Sequence, residues 1–356
     1  MFYNVDLFFE DNYNVEPRVY LLRQRRFIRD YSNPMKLPST VFIANFRLSK
    51  DAFMYVLDKI KDSFHCRLSS SVTPMLKLCC ALRFFAHGSY QQAVGNDFHL
   101  GLAQPTVSLI LKEILPILQR EICRAAIKTE MTEEEKQQAK SKFFIRSGIP
   151  NVIGCVDGTH IAIYAPSANR HLYLNRKGFF SINAMIVSCD HDMNIRFVDA
   201  RYAGSTHDSF VWNNSSLKSH LENMHLSGDN SIYLGDSGYP LSAYLLTPFR
   251  LAESGTRESI FNKKHAKGRN VIERTIGVLK CRFRCLLGKM RYNPDKVKSI
   301  INICCALHNI CKMFRISDPD EAEIFTDAIV SSEPSNEDGN GTPGERRRRQ
   351  IADALL

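Results

Sequence analysis

Three carboxylates stand in settings suited to chemistry: Asp157, Asp236 and Glu273. The stretch from Asn151 to Ile163 reads NVIGCVDGTHIAI, an apolar run that delivers Asp157 to its end before Gly158 breaks it. β-Branched and apolar residues bounded by glycine read as a buried strand. A carboxylate at the end of such a strand is costly unless it is hydrogen-bonded, paired or bound to a metal. Taken alone, it also reads as a turn cap. Asp236 repeats the arrangement in SIYLGDSGYP, with Gly235 and Gly238 leaving room for a close approach to the backbone. Glu273 lies in NVIERTIGVLKCRFRCL, where Ile272, Ile276, Leu279 and Phe283 recur as a helical stripe. It shares a neighbouring face with Gly277, Lys280 and Arg284, and pairing with Lys280 or Arg269 is its plainer role. The three acids are 79 and 37 residues apart. Gathered in space, they form a hard oxygen site for Mg²⁺ or Mn²⁺. Two such ions about 3.5–4 Å apart activate a water or hydroxyl and stabilise the leaving oxygen in phosphodiester cleavage. Without cations the cluster would repel itself and titrate upward.

Charge supplies the second clue. Between Phe261 and Arg291 there are ten Lys or Arg against the single acid Glu273, in a chain whose total is +10. A solvated helix face usually alternates sign, and this one does not. Concentrated positive charge fits a polyanion such as DNA or RNA. Lys267, Arg269, Arg274, Lys280 and Arg284 are the expected phosphate contacts around Glu273.

The elements that must position the acids follow from periodicity. A strand at Asp157, a strand over 181–189 and a strand over 195–203, joined by short turns, predict an antiparallel meander. His207-Asp208 opens a helix, where Asp208 also reads as a first-turn residue. Upstream, Phe53, Val56, Leu57 and Ile60 share a helical face capped by Ser49 or Asp51, and a buried helix runs over 74–87. A short helix over 89–94 and a second opening at Gln104-Pro105-Thr106 form a helix-turn-helix pattern or a plain helical hairpin. In the first reading Gln104, Thr106 and Ser108 face the bases. Residues 128–147 read as an exposed linking helix.

Six ordered blocks, IGCVDGTHI, NRKGFFS, GSTHDSFVW, YLGDSGYP, NVIERTIGVLKCRF and CCALHNI, resemble those of the PIF/Harbinger DDE transposases, over about residues 40 to 316. The resemblance implies an α/β to α+β fold: an RNase H-like catalytic domain with a mixed five-stranded sheet and flanking helices, preceded by an all-α helix-turn-helix domain. It places the triad on Asp157, Asp236 and Glu273. Asp208 becomes a further metal ligand, and Arg176 and Lys177 of the second block become DNA contacts. It implies Mg²⁺ or Mn²⁺ as cofactor, DNA as substrate, a Myb/SANT-like DNA-binding partner protein and a homo-oligomer. The activity implied is metal-dependent DNA cleavage. Strand transfer by a complete transposase and a non-catalytic DNA-binding regulator are the alternatives.

The expected organisation is a lead-in over 1–40, the helix-turn-helix-like segment over 41–128, a linker over 129–150, the nuclease segment over 151–316 and a disordered acidic tail over 317–356 that ends in Arg346–Arg349. That arginine run reads either as a nuclear import signal or as a basic helix start or DNA-touching tail. No apolar run approaches the ~18 residues of a membrane span. The first residues lack the basic n-region of a signal peptide. Eleven scattered cysteines fit reduced core thiols in the nucleus or cytoplasm better than a disulfide framework. Cys305, His308 and Cys311 share a helix face with no fourth ligand, so 300–310 reads as a core helix and not a zinc site. Trp212 reads as core.

Overall fold

A computed structural model describes residues 17–31, 33–64, 72–88, 90–97, 100–189, 192–319 and 341–355. Five strands form one sheet: β1 Val152–Ala162, β2 Ser181–Cys189, β3 Asn194–Ala203, β4 Ile232–Leu234 and β5 Leu245–Leu246, in the order β3-β2-β1-β4-β5. β1, β2 and β3 pair antiparallel, whereas β4 and β5 add parallel to the other edge of β1. The meander is as expected. Gly158 does not break β1, which continues through it opposite Met185. The β1–β4 register shifts between Val152 and Gly154 and then sets Cys155 opposite Leu234.

Side-chain alternation gives the sheet two apolar faces. Ile182, Ala184 and Ile186 of β2 join one cluster, and Met185 and Val187 join the other. Helices cover both faces. The N-terminal run is α1 Pro17–Tyr31, α2 Ser39–Phe46, α3 Lys50–Ile60, α4 Pro74–His87, α5 Gln91–Gly95, α6 Gln104–Leu118, the single turn α7 Arg124–Ala126 and α8 Glu133–Ser147. Then follow α9 Asp208–Asn213, α10 Ser216–Leu226, α11 Arg257–Arg282, α12 Pro294–Met313 and α13 Pro343–Ala354. The local causes are ordinary ones. Ser49 caps α3 by accepting from the Ala52 amide at 3.2 Å, and Thr132 with Glu135 closes a capping box on α8. Pro116 lies inside α6, and five residues of π-helix, Gln119–Cys123, follow.

The larger cluster runs from Phe42 through the α4, α6 and α12 residues to Ala352. The helical segment and the sheet segment therefore share one core, with no break near residue 128. Gly88 shows how close the contact is. It ends α4 with φ at 63°, and a Cβ there would lie 2.8 Å from the Cys285 Cα. On the opposite face Trp212 is fully buried against Tyr239, with ring centroids 6.0 Å apart. His308 and Asn309 are core residues too: His308 Nε2 bonds the Met193 carbonyl, and Asn309 Oδ1 accepts from the Ile195 amide at 2.8 Å. Among the described residues all cysteines are free, as expected. No described helix is long and apolar enough to cross a membrane.

The chain's last described element corrects the reading of the tail. Within 317–356, residues 320–340 lie outside the described residues, but 343–354 form α13, docked beside β5 and α11. Thr342 caps the helix, and Gly344 sits so close to Ser242 that a Cβ would meet its Cα at 2.8 Å. The arginine run is partly interior. Arg348 is 1% exposed, donates to the carbonyls of Thr247 and Pro248 and stacks 4.0 Å over Phe249. Arg347 reaches the Ala243 and Asn230 carbonyls. Helical periodicity turns every third or fourth residue inward, so a run of four identical charges cannot all face water once the helix docks. Arg348→Ala strands two buried acceptors and a stacked ring. It is expected to cost about 3 kcal/mol in urea unfolding, against almost nothing for the exposed Arg346→Ala.

Candidate active site

The middle of β1, where its pairing with β4 stops, assembles the acids, so Asp157 is not the strand-end residue the sequence suggests. Cys155 pairs with Leu234, so Asp157 within β1 and Asp236 just past the end of β4 stand two residues further on, at one level. Alternation aims both toward the α11 face, which Cys155 and Leu234 share. Two backbone amides orient the carboxylates: Gly158 N–H donates to Asp157 Oδ1 and Gly238 N–H to Asp236 Oδ1, each at 2.9 Å. Asp208, the first residue of α9 behind its N-cap His207, lies over Gly158. A Cβ at position 158 would approach Asp208 Oδ1 to 2.5 Å, so only glycine admits that carboxylate. Asn183 of β2 donates to the same Oδ1 at 2.8 Å.

Electrostatics confirms that these three acids feel one another. Burial pushes Asp157 up to about 7; Arg269 opposes the shift, and the Asp236 and Asp208 charges add to it. The side chain keeps 20% exposure, yet its carboxyl lies deep enough for desolvation to win over the ion pair. Asp208 is also raised, first by burial, with Asn183 holding it back and Asp236 raising it further. Tyr239 is fully buried beside all three; burial first, and then their charges, push its hydroxyl well above the usual range, and its Oη has no hydrogen-bond partner.

Glu273 joins through an intermediary. Arg269, one turn earlier on α11, donates to Asp157 Oδ2 at 3.0 Å and reaches Glu273 Oε1 at 3.5 Å. Burial alone would depress the guanidinium, but Asp157, Asp236 and Glu273 hold it above its usual value. Arg269, expected as a DNA contact, is thus the resident cation of the acid cluster. Among the described residues no group of three His, Cys, Asp or Glu is drawn tightly enough to hold an ion as it stands. The donor chemistry nevertheless fits a hard divalent cation: the ligands are all oxygens, and one guanidinium offsets the acids only in part.

The expected DNA contacts divide. Arg176 and Lys177 are exposed, and Arg176 bonds His207 at the mouth of the site. Lys267, Arg274 and Arg284 are exposed on or just beyond α11. Lys280 is 7% exposed and Gly277 is buried, because α11 sinks its last two turns into the core. Lys280 is therefore not a surface phosphate contact, and the basic segment is not one continuous positive face. Gln104 is exposed but tied to Gln91 at 2.8 Å, while Thr106 and Ser108 are half-buried. Residues 91–118 fold as two helices, the first only five residues long, which does not by itself make a DNA-reading motif. Asn183 and Tyr239 were not legible as site residues. Their only sequence signal is position, one on a strand beside β1 and the other three residues after Asp236.

Residues 156–309 match the DDE superfamily endonuclease family. The "Putative nuclease HARBI1" of Mus musculus is 36% identical over 245 residues, covering 68% of this chain and 68% of its own. The human protein of the same name matches to the same degree over 246 residues. The chain belongs to the harbinger transposase-derived nuclease family. Similarity extends to plants, where an Arabidopsis thaliana "Protein ALP1-like" is 29% identical over 291 residues, 76% of this chain and 70% of its own. No solved structure matches. The matched segment begins one residue before Asp157 and ends at Asn309. It therefore contains all four acids and Arg269, and excludes α1–α8 and α13.

Proposed function

We propose that the chain is a DNA endonuclease that hydrolyses phosphodiester bonds with Mg²⁺ or Mn²⁺ held by Asp157, Asp208, Asp236 and Glu273. The observation that carries this is the convergence of three aspartates, from β1, from the turn after β4 and from α9, around one buried, raised carboxyl. Bound metal would supply an activated water and a stabilised leaving oxygen. The chain's own residues do the positioning. The Gly158 and Gly238 amides each orient one oxygen of Asp157 and of Asp236, and Arg269 holds the second oxygen of Asp157. Asn183 fixes Asp208. Arg269 keeps Asp157 and Glu273 at one place while the site is metal-free and must release Asp157 for a divalent ion to take it. Lys267, Arg274, Arg176 and Lys177 offer exposed charge for the flanking phosphates. Nicking of supercoiled plasmid in Mg²⁺ or Mn²⁺, lost in EDTA, tests the proposal; no nicking with either metal would contradict it.

Gly158→Ala gives a local test. The added methyl has no room beside Asp208 Oδ1, so the carboxylate must leave its place over β1. Nicking is expected to fall by about 10² or more with the far-UV spectrum unchanged.

The same reading carries a wider set of proposals. Helices α5 and α6 act as a helix-turn-helix, a Myb/SANT-like protein supplies sequence-specific binding, the chain works as a homo-oligomer, and it resides in the nucleus and cytoplasm. Strand transfer needs only that a DNA 3′-hydroxyl replace water. One observation favours a second reading, a DNA-binding regulator without catalysis: Arg269 already pairs with both Asp157 and Glu273. Under that reading millimolar Mn²⁺ leaves the stability of the chain unchanged.

A further inference from the structure

Beyond the acid cluster, β1 leads to a group of aromatic and basic side chains that the cleavage site does not use. Past Ala162 the strand continues into a parallel bridge between Ile163 and Met290. Tyr164 N–H donates to the Met290 carbonyl and Met290 N–H to the Ala162 carbonyl, both at 3.0 Å. This bridge buries Met290 and leaves its neighbours Lys289 and Arg291 exposed, as strand alternation requires. Both cations lie against aromatic rings. Lys289 Nζ is 4.6 Å from the Tyr164 centroid, and the Arg291 guanidinium is 4.5 Å from Tyr164 and 5.0 Å from Tyr90. Arg291 also donates to Tyr164 Oη at 2.8 Å. Among the described residues no carboxylate pairs with Lys289 or Arg291. Tyr90 is 64% exposed and Tyr164 42%. Beneath them Tyr292 is braced by Gln91 and Phe84, so the group rests on fixed backbone.

We propose that Tyr90, Tyr164, Lys289 and Arg291 form a stacking platform for unpaired nucleotides of the DNA substrate. Exposed rings held beside cations without competing acids offer what single-stranded DNA binds: a flat face for each base and positive charge for the backbone. Duplex DNA keeps its faces stacked on one another and gains only the charge. Tyr164 lies seven residues beyond Asp157 along β1, roughly 23 Å at the rise of a strand. Stacked bases cover that distance in about seven steps. A strand held at the acids would reach the platform several nucleotides from the cut. This assignment rests on DNA being the substrate, not on cleavage taking place.

Fluorescence anisotropy with the full chain in EDTA separates the possibilities. The probes are a blunt DNA duplex, the same duplex with a single-stranded DNA extension of about ten nucleotides, and that extension as RNA. The DNA extension is expected to tighten binding. Tyr164→Ala and Tyr90→Ala should each weaken binding of the extended probe about tenfold and leave the blunt duplex within about threefold. Tyr164→Phe, which keeps the ring and loses only the bond from Arg291, should stay close to the parent. Equal affinity of both alanine variants and the parent for the extended DNA overturns the platform, as does ring-dependent preference for RNA. If Tyr164→Ala does not fold, Tyr90→Ala and Arg291→Gln carry the test. Nicking measured alongside keeps the two readings distinct. Nicking with ring-independent binding sinks the platform alone, and ring-dependent binding without nicking sinks the nuclease alone.

Discussion

Asp157→Asn should lower metal-dependent nicking by at least about 10³-fold while leaving the metal-free chain as stable as the parent, or more stable, at pH 8. The two halves have one cause. Burial raises the Asp157 carboxyl to about 7, so above that pH the folded chain holds a charge that desolvation opposes and Arg269 offsets only in part. The unfolded chain ionises the same group near its ordinary value of 3.8. Between those two values the native state binds the extra proton, so stability falls as pH rises, with a slope approaching about −1.4 kcal/mol per pH unit. Above the folded value the cost is complete; below the unfolded value it vanishes. Asparagine removes the slope and keeps a partner for the Gly158 amide. Urea titrations of both proteins in EDTA from pH 4 to pH 8 read this directly. A parent curve flat across that range, or an asparagine variant that unfolds more easily at pH 8, would mean that Asp157 is a structural ion-pair partner.

Arg269→Gln is expected to act in the opposite sense. Removing the guanidinium leaves Asp157, Asp236 and Glu273 without their internal cation, and taking one partner from a buried pair costs about 3–5 kcal/mol. The loss should be largest in EDTA and substantially recovered in Mg²⁺ or Mn²⁺, because an ion that binds the folded chain stabilises it by mass action. The parent should gain less from the same metal, since its ions must first displace Arg269 from Asp157. Thermal unfolding of both proteins with and without metal makes the comparison. Loss without recovery would leave Arg269 as a structural cation only.

The acids were legible because an apolar run followed by glycine marks both Asp157 and Asp236, although β1 runs on past Asp157 and only Asp236 follows the end of its strand. The meander follows from the same alternation, and α9 from the helix start at His207-Asp208. Arg269 was harder to place. Its spacing to Glu273 permits a pair, but its contact with Asp157 crosses from α11 to β1 and depends on packing that no local pattern encodes. Lys280 failed for the opposite reason. Its type predicts a surface, while the burial of α11's last two turns is set by α12 and the sheet. Gly158 read as a break, yet β1 passes straight through it, and its purpose is to clear space for Asp208. The arginines of α13 read as a solvated tail because composition cannot show that the segment after β5 offers the Thr247 and Pro248 carbonyls and the Phe249 ring to receive Arg348.

Crystals of the chain grown with millimolar Mn²⁺ and measured at the manganese edge test the central claim most directly. The expected map places manganese within ~2.0–2.6 Å of carboxylate oxygens from Asp157 and Asp236, with Arg269 drawn away from Asp157. A map without manganese there, and with the 3.0 Å bond from Arg269 to Asp157 intact, would contradict it.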